Sequence, residues 1–132
     1  MRVLIIEDTP ERQEILINLV KDHAWILVNT VARARRMLEN YTFDLIFLDY
    51  DLAGEQRGDE VASSLMQTGN ATTKVIVHSM NAPGAERIKS LLPAADIVPL
   101  SKITRDNATF KKLRGLLRFG PEIDWARVFG RR

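Results

Sequence analysis

Two short stretches decide the fold: Val3-Leu4-Ile5-Ile6, followed by Glu7-Asp8, and Leu45-Ile46-Phe47-Leu48, followed by Asp49. Each is an apolar run of strand length that stops on an acid. Ionised carboxylates are costly at the rim of a buried sheet unless an opposite charge offsets them. A divalent cation such as Mg²⁺, which prefers oxygen ligands, supplies that charge. Because ligands bind at the carboxyl ends of strands in open α/β folds, the pattern predicts that Glu7, Asp8 and Asp49 hold a metal ion.

Similar apolar runs alternate with helix signals along the chain. Runs rich in Val, Ile and Leu, typical of strands buried on both faces, lie at 2–6, 25–28, 44–48, 74–77 and 96–100. Helix starts are indicated at Thr9-Pro10, at Thr30, after Gly58, at residue 84 and at Thr104. The repeated β-α pattern predicts one α/β domain with a doubly wound, five-stranded parallel sheet of strand order 2-1-3-4-5. Right-handed crossovers then bring the loops after strands one, three, four and five to one edge.

Composition narrows the class of protein. The chain has 132 residues, 45% of them apolar and 27% charged, and no cysteine, which excludes disulfides, thiolate metal sites and cysteine nucleophiles. No apolar run approaches the twenty residues of a membrane span. Acids follow Ile6 at once, unlike the pattern of a signal peptide. The expectation is a cytoplasmic protein.

The carboxy-terminal part of the chain is basic. Residues 105–132 hold eight Arg and Lys against three acids, while the whole chain carries a net charge of +2. This segment could bind nucleic acid or an acidic protein partner, or its charges could simply lie on a solvated helix face. Residues 1–118 account for the five β-α units. The surplus residues 119–132 contain Phe119, Trp125 and Phe129, so we expect them to pack back on the domain.

Polar side chains collect at the predicted edge of the sheet: Glu7, Asp8, Asp49, Asp51, His78, Ser79, Asn81 and Lys102. In these residues the chain resembles the response-regulator receiver family, across residues 1–118. That family has an acidic pair after the first strand, a phosphoacceptor Asp after the third, Ser or Thr after the fourth and Lys after the fifth. The corresponding residues here are Glu7-Asp8, Asp49, Ser79 and Lys102. The Gly58-Asp59 step also resembles the turn that opens the third helix of receivers.

The resemblance implies a chemistry for each residue. Asp8 and Asp49, helped by Glu7, would hold Mg²⁺, and Asp49 would be the nucleophile that forms an aspartyl phosphate. Lys102 would neutralise a phosphate oxygen and the Ser79 hydroxyl would donate to another. The implied partner is a phosphodonor, either a kinase or a small molecule. Alternatives remain open, because the acidic pair could merely favour the first helix and Asp49 could form a structural ion pair with Lys102.

Three residues depart from the receiver pattern. Ile103 follows the lysine where receivers usually have proline, and Pro99 stands where many receivers carry a switch aromatic. Met80 follows Ser79 where a small residue normally leaves the phosphate accessible. These departures argue against the usual phosphorylation-driven switch.

Asp51, His78 and Asn81 are additions to the pattern. Asp49-Tyr50-Asp51 resembles the Asp-x-Asp of haloacid-dehalogenase-type phosphatases, where the second Asp is a general acid and base. His78 and Asn81 could supply a proton-transfer group and an oxyanion donor. Strand alternation, however, turns His78 away from the site if Ser79 faces it, unless the chain turns there. Asp51 and Asn81 could also be ordinary turn residues.

Residues 44–92 are also similar to a divergent receiver branch proposed to process cyclic phosphates at RNA ends. The similarity lies in Leu-Asp-x-Asp-Leu and in Val-His-Ser-Met-Asn-x-Pro-Gly-Ala. It implies that Asp51, His78 and Asn81 are catalytic candidates and that a phosphate-ended nucleic acid is a partner.

Three hypotheses follow. The first is a stand-alone divergent receiver that accepts a phosphoryl group on Asp49 in phosphorelay-type signalling and could form a homodimer. The second is a metal-dependent phosphoesterase that acts on cyclic or terminal phosphates of RNA. The third is a degenerate receiver that serves only as a protein-interaction module. The direction of the His78 side chain is the structural observation that bears most on the second.

Overall fold

A computed structural model describes residues 1–129 of the chain. The strands are β1 (Arg2–Ile6), β2 (Ala24–Val28), β3 (Leu45–Leu48), β4 (Lys74–Val77) and β5 (Asp96–Ile97). The helices are α1 (Pro10–Val20), α2 (Val31–Asn40), α3 (Gly58–Leu65), α4 (Ala82–Leu91), α5 (Leu100–Ile103), α6 (Asn107–Leu116) and α7 (Trp125–Phe129). None of the helices in these residues is long and apolar enough to cross a membrane.

The strands form one parallel sheet in the order β2-β1-β3-β4-β5, which confirms the predicted fold. The register aligns the last residues of the inner strands. Ile6 pairs with Leu48, and Leu48 pairs with Val77. The residues that follow β1, β3 and β4 therefore emerge side by side at one edge, as the crossover rule requires.

Alternate side chains of the inner strands β1, β3 and β4 enter two separate cores. One core contains Leu4, Ile6, Ile46 and Leu48 and is covered by α2, α3 and α4. The other contains Ile5, Phe47 and Ile76, together with residues of α1, α6 and α7. A strand that is buried on both faces has no polar face, which explains the continuous apolar runs in the sequence. The edge strand β2, which the sequence predicts to be buried on both faces, is instead largely exposed.

The fifth strand is shorter than expected. The sequence predicts a strand over 96–100, but β5 ends at Ile97 and Leu100 begins the short helix α5. Pro99 lies between them, and a proline has no N–H to extend a ladder. Beyond β5, Leu100 N donates to the carbonyl oxygen of His78 at 3.0 Å. Lys102 consequently lies on a helical turn next to the end of β4, and not at the end of a strand.

Two of the expected helix caps also differ. The Thr30 hydroxyl accepts from Arg33 N at 3.2 Å, as expected for a cap. Thr9 precedes α1, but its side chain makes no capping hydrogen bond. At the start of α6 the cap is Asp106, whose carboxylate accepts from Thr109 N at 2.7 Å. Thr104 instead donates its hydroxyl to Leu100 O, within α5.

The carboxy-terminal segment packs on the domain in part, as expected for two of its three aromatic residues. Trp125 and Phe129 are buried in the second core, and the Trp125 ring meets Phe47 edge to face at 6.3 Å between centroids. Phe119 differs, because 90% of its surface is exposed. It ends a 3₁₀ turn just before Gly120, whose φ of 111° redirects the chain. The last part of the predicted 119–132 extension, residues 130–132, lies outside the described residues.

Candidate functional site

Three buried polar side chains meet where the inner strands end. Glu7, Asp49 and His78 follow β1, β3 and β4, and each is at most 1% exposed. Their backbones continue the sheet ladder: Glu7 N donates to Val28 O, Asp49 N to Ile6 O and His78 N to Leu48 O, at 3.0–3.2 Å. The sheet therefore fixes the direction of all three side chains before any ligand binds.

Strand alternation explains why these three residues share a face. Glu7 comes two residues after Ile5, Asp49 two after Phe47 and His78 two after Ile76, and those apolar residues all belong to the second core. Side chains at i and i+2 point to the same side of a sheet. This spacing is the sequence signal that places His78 with the two acids. Alternation counted from Ser79 left the direction of His78 open, because the outcome depended on whether the chain turns there.

Glu7 and His78 form a buried hydrogen-bonded pair. His78 Nε2 lies 2.8 Å from Glu7 Oε1, and Glu7 Oε2 accepts from the backbone N–H groups of Asp8 and Thr9, both at 3.0 Å. Burial acts to raise the pKa of Glu7, but the hydrogen bond and charge of His78, with the Thr9 N–H and Arg12, hold that pKa below its usual value. Glu7 is thus an ionised carboxylate whose oxygens are held by donors.

The Asp49 carboxylate has fewer hydrogen-bond partners than that of Glu7. Its Oδ1 accepts from Tyr50 N at 2.8 Å, whereas Oδ2 is buried and has no hydrogen-bond partner. Burial raises the pKa of Asp49, and the charge of Glu7 raises it further, against the opposing effects of His78, Ser79 and Tyr50. The cation nearest to Oδ2 among the described residues is Arg12, whose Nη1 is 3.8 Å away.

Arg12 was not foreseen from the sequence. It lies on the first turn of α1, four residues after Asp8, with 37% of its side chain exposed. The expected alternative, a buried Asp49–Lys102 ion pair, is not formed. Lys102 is half-buried on α5, and its Nζ has no hydrogen-bond or ion-pair partner within residues 1–129.

Asp8 and Ser79 flank the buried group. Asp8 is half-buried and accepts from the Thr9 hydroxyl at 3.4 Å. Burial raises the pKa of Asp8, and so does the neighbouring charge of Glu7. The chain leaves the strand after Val77 and turns at Ser79, whose Oγ accepts from Asn81 N at 3.1 Å. This turn lets Ser79 and His78 both approach Asp49.

Asp51 and Asn81 lie at the rim of the site and contact each other. Asn81 Nδ2 donates to Asp51 Oδ2 at 3.2 Å, and Asn81 Oδ1 caps α4 by accepting from Gly84 N at 3.0 Å. Asp51 is exposed and also faces Arg57, at 4.0 Å. The two residues join the loops that follow β3 and β4. The structure thus places them beside the cluster, not within it.

Gly58 is part of the same architecture. Its N–H donates to Tyr50 O at 2.7 Å, and a Cβ at this position would overlap the carbonyl oxygen of Asp49. Only glycine allows so close an approach of two backbones. The first residue of α3 therefore supports the backbone that carries Asp49.

The donor set fits a divalent cation. Glu7, Asp49 and His78 each offer one ligand atom, and these atoms lie within 4.8 Å of one another. The unpartnered Asp49 Oδ2 is what such a site requires, because a buried carboxylate oxygen is costly without a counter-charge. Asp8, the third expected ligand, lies next to this group in the chain and more open to solvent.

Comparison with known proteins places the chain in a family of receiver domains. A family model described as "Cyclic-phosphate processing Receiver domain" matches residues 2–94. The comparison with curated proteins gives no match.

Solved structures that are similar to the chain include three response regulators. The phosphorylated cyanobacterial phytochrome response regulator RcpA has 17% identity and a TM-score of 0.67, covering 89% of this chain and 91% of that one. The Mn²⁺-bound form of response regulator Rcp1 has 20% identity and a TM-score of 0.64, covering 89% and 92%. TrrA from Thermotoga maritima, in complex with Mg²⁺-BeF, has 19% identity and a TM-score of 0.65, covering 85% and 97%. At these identities the likeness concerns the fold.

Proposed function

The chain belongs to the family of cyclic-phosphate processing receiver domains, and on that premise we propose that it accepts a phosphoryl group on Asp49 with the help of a divalent cation. One observation carries the proposal: Asp49 Oδ2 is buried and has no hydrogen-bond partner. Such an oxygen keeps its lone pairs for a cation or for attack on phosphorus. The similar structures described as phosphorylated, Mn²⁺-bound and Mg²⁺-BeF-bound support the same chemistry.

Glu7, Asp8 and Asp49 are the residues that would hold Mg²⁺. When bound there, the cation neutralises the carboxylates and polarises the incoming phosphoryl group. Glu7 contributes a carboxylate that stays ionised, because its donors hold its pKa low. Asp8, half-buried at the start of the loop after β1, is open to an ion arriving from solvent.

The transfer itself falls to Asp49 and its neighbours. An Asp49 carboxylate oxygen attacks phosphorus, the bond from phosphorus to the donor's oxygen or nitrogen atom breaks, and the donor leaves with that electron pair. The Ser79 hydroxyl already accepts from Asn81 N, so its proton is free to donate to a phosphoryl oxygen. Lys102, which has no partner within residues 1–129, neutralises another. The partner is a phosphodonor, either a kinase or a small molecule.

Phosphorylation of the purified chain by acetyl phosphate tests the proposal. With Mg²⁺ present we expect the mass of one phosphoryl group to be added, and Asp49→Asn to abolish it. Asp44→Asn is the matched control, because Asp44 lies just before the same strand and its exposed carboxylate accepts from Arg2 N, away from the cluster. The proposal would be overturned if saturating acetyl phosphate added no phosphoryl group to the wild-type chain.

A second function is favoured by the buried Glu7–His78 pair. A phosphoesterase needs a group that moves a proton to or from an alkoxide or water, and an imidazole held by a carboxylate suits this role. His78 would be that group, with Asp51 and Asn81 at the rim for acid–base transfer and for a phosphate oxygen. The substrate class would be a cyclic or terminal phosphate of RNA.

Hydrolysis of a cyclic nucleotide by variants of His78 and Asp51 separates the two functions. The phosphoesterase predicts metal-dependent hydrolysis of a 2′,3′-cyclic nucleotide that falls about 100-fold or more in His78→Gln and in Asp51→Asn. Phosphorylation of Asp49 without any such hydrolysis would remove this second function. If neither reaction occurs, the third hypothesis, a domain that acts only through protein contacts, is the one that remains.

A further inference from the structure

The ligand atoms that the fold brings together are not the all-carboxylate set expected from the sequence. We call Glu7, Asp49 and His78, whose ligand atoms lie within 4.8 Å of one another, the carboxylate–histidine cluster. An imidazole nitrogen takes the place that the sequence pattern assigned to Asp8. His78 is also as deeply buried as the two acids, so water cannot easily replace it.

An independent observation indicates that this cluster is made for a cation. Among the described residues, Asp49 Oδ2 is a buried oxygen with no hydrogen-bond donor. A buried carboxylate oxygen in that state is destabilising unless a positive charge stands close. The guanidinium of Arg12, at 3.8 Å, is beyond hydrogen-bond distance and partly in solvent. The oxygen is therefore left without the donor that it needs.

The ligand types decide which cation fits. Mg²⁺ takes oxygen ligands almost exclusively and keeps several of its waters. Imidazole nitrogen, in contrast, suits first-row transition ions, whose affinity for mixed nitrogen and oxygen sites rises from Mn²⁺ through Co²⁺. Resting on the metal site of the proposed function, we propose that His78 Nε2 is a direct ligand and that the cluster binds a transition ion such as Mn²⁺ or Co²⁺ in preference to Mg²⁺.

The surroundings of His78 hold the ring ready for this role. The ring meets Phe47 edge to face, with 6.3 Å between centroids, and Phe47 in turn contacts Trp125 of α7. His78 N is fixed by Leu48 O and His78 O by Leu100 N. An ion held by His78 Nε2 and Glu7 Oε1 would take the place of the hydrogen bond that now joins these two atoms, at 2.8 Å.

Pulsed electron paramagnetic resonance of the Mn²⁺-loaded full chain tests the inference. The chain has only two histidines, His23 and His78, so imidazole coupling can arise from few sources. We expect ¹⁴N modulation in the wild-type spectrum, its retention in His23→Gln and its loss in His78→Gln. Labelling the wild-type protein with ¹⁵N-histidine should replace the ¹⁴N pattern by that of ¹⁵N, which tests the ligand without any variant.

Calorimetric titrations measure the selectivity. We expect the wild-type chain to bind Co²⁺ and Mn²⁺ more tightly than Mg²⁺. In His78→Gln the affinity for Co²⁺ should fall about tenfold or more, the scale on which even outer-shell partners matter, with a smaller change for Mg²⁺. The selectivity of His23→Gln should equal that of the wild type, because the His23 ring is hydrogen-bonded to the amino terminus, at 3.1 Å, and does not belong to the cluster.

The possible failures are distinguishable. Mn²⁺ that binds in an Asp49-dependent manner but shows no histidine nitrogen coupling would overturn the inference and leave the proposed function intact. Mg²⁺ binding as tight as that of Co²⁺ would do the same. A chain that binds none of the three ions would remove the metal from both proposals.

Discussion

Glu7 and Asp49 are two carboxyl groups in one buried cluster that affect stability in opposite directions. Burial acts to raise the pKa of Glu7, but its hydrogen bonds and the charges of His78 and Arg12 together lower that pKa. Burial and the charge of Glu7 raise the pKa of Asp49 against the opposing effects of its partners. A lowered pKa in the folded state stabilises the fold above the unfolded pKa. A raised pKa costs stability once the group ionises.

Asp49→Asn should therefore raise the midpoint of thermal unfolding at neutral pH, measured with a chelator present. The gain should disappear as the pH falls below the pKa of Asp49 in both states, because the wild-type carboxyl is then neutral as well. Glu7→Gln should instead lower the free energy of unfolding at neutral pH by about 1–3 kcal/mol, since it disturbs a buried network that depends on a carboxylate. A lower midpoint for Asp49→Asn would contradict this description of the site.

The sequence predicts where these acids lie better than it predicts their partners. Glu7 and Asp49 could be placed because each ends an apolar strand, and the crossover rule brings such ends together. The position of Arg12 could not be predicted, because its approach to Asp49 depends on how α1 packs over the sheet edge. His78 could have been placed by counting from Ile76, but not from Ser79, where the chain turns out of the strand.

At the scale of elements, the ends of strands and helices determine the geometry of the site. Gly58 opens α3 against the carbonyl group of Asp49, and Pro99 lies between the end of β5 and the start of α5. Glycine and proline can both be recognised in the sequence as residues that interrupt helices and strands. Their consequences, a backbone contact in one case and a shortened strand in the other, depend on neighbours far along the chain.

Gly58→Ala should destabilise the protein by about 1–3 kcal/mol, because the methyl group overlaps the Asp49 backbone. It should also lower the rate of phosphorylation on Asp49. Gly115→Ala is the matched control: Gly115 lies within α6 and an added Cβ meets nothing within 4 Å. We expect Gly115→Ala to stabilise by about 0.5–1 kcal/mol. Chemical denaturation followed by circular dichroism measures both, and equal effects would contradict the proposed packing.

At the scale of the whole molecule, the domain is larger than its family match. That match ends at residue 94, yet α6 and α7 supply part of the second core. Trp125, on α7, contacts Phe47 of the central strand, and Phe47 contacts His78. Through Phe47, the carboxy-terminal helix α7 thus packs behind the His78 ring of the site. The sequence predicts that Trp125 and Phe129 are buried because they are aromatic. The same reasoning predicts burial of Phe119, which is exposed.

Trp125→Ala should lower the free energy of unfolding by about 3–5 kcal/mol, as is usual when a large buried aromatic residue is removed. Trp25→Ala is the matched control on the edge strand β2, where the side chain is 39% exposed, and should cost less than about 1 kcal/mol. Denaturant unfolding of the two variants checks this. A similar loss in both would show that α7 does not complete the core.

The positions of the two tryptophans also allow two regions of the molecule to be followed by intrinsic fluorescence, without a label. Trp125 is 1% exposed and Trp25 39%, so the first should emit at shorter wavelength and resist quenching by iodide, whereas the second should be quenched readily. Because the Phe47 ring lies between the Trp125 indole and His78, changes at the carboxylate–histidine cluster and at the sheet edge should affect different parts of one emission spectrum. Tryptophan emission can therefore distinguish occupation of the site from a change at the edge strand β2.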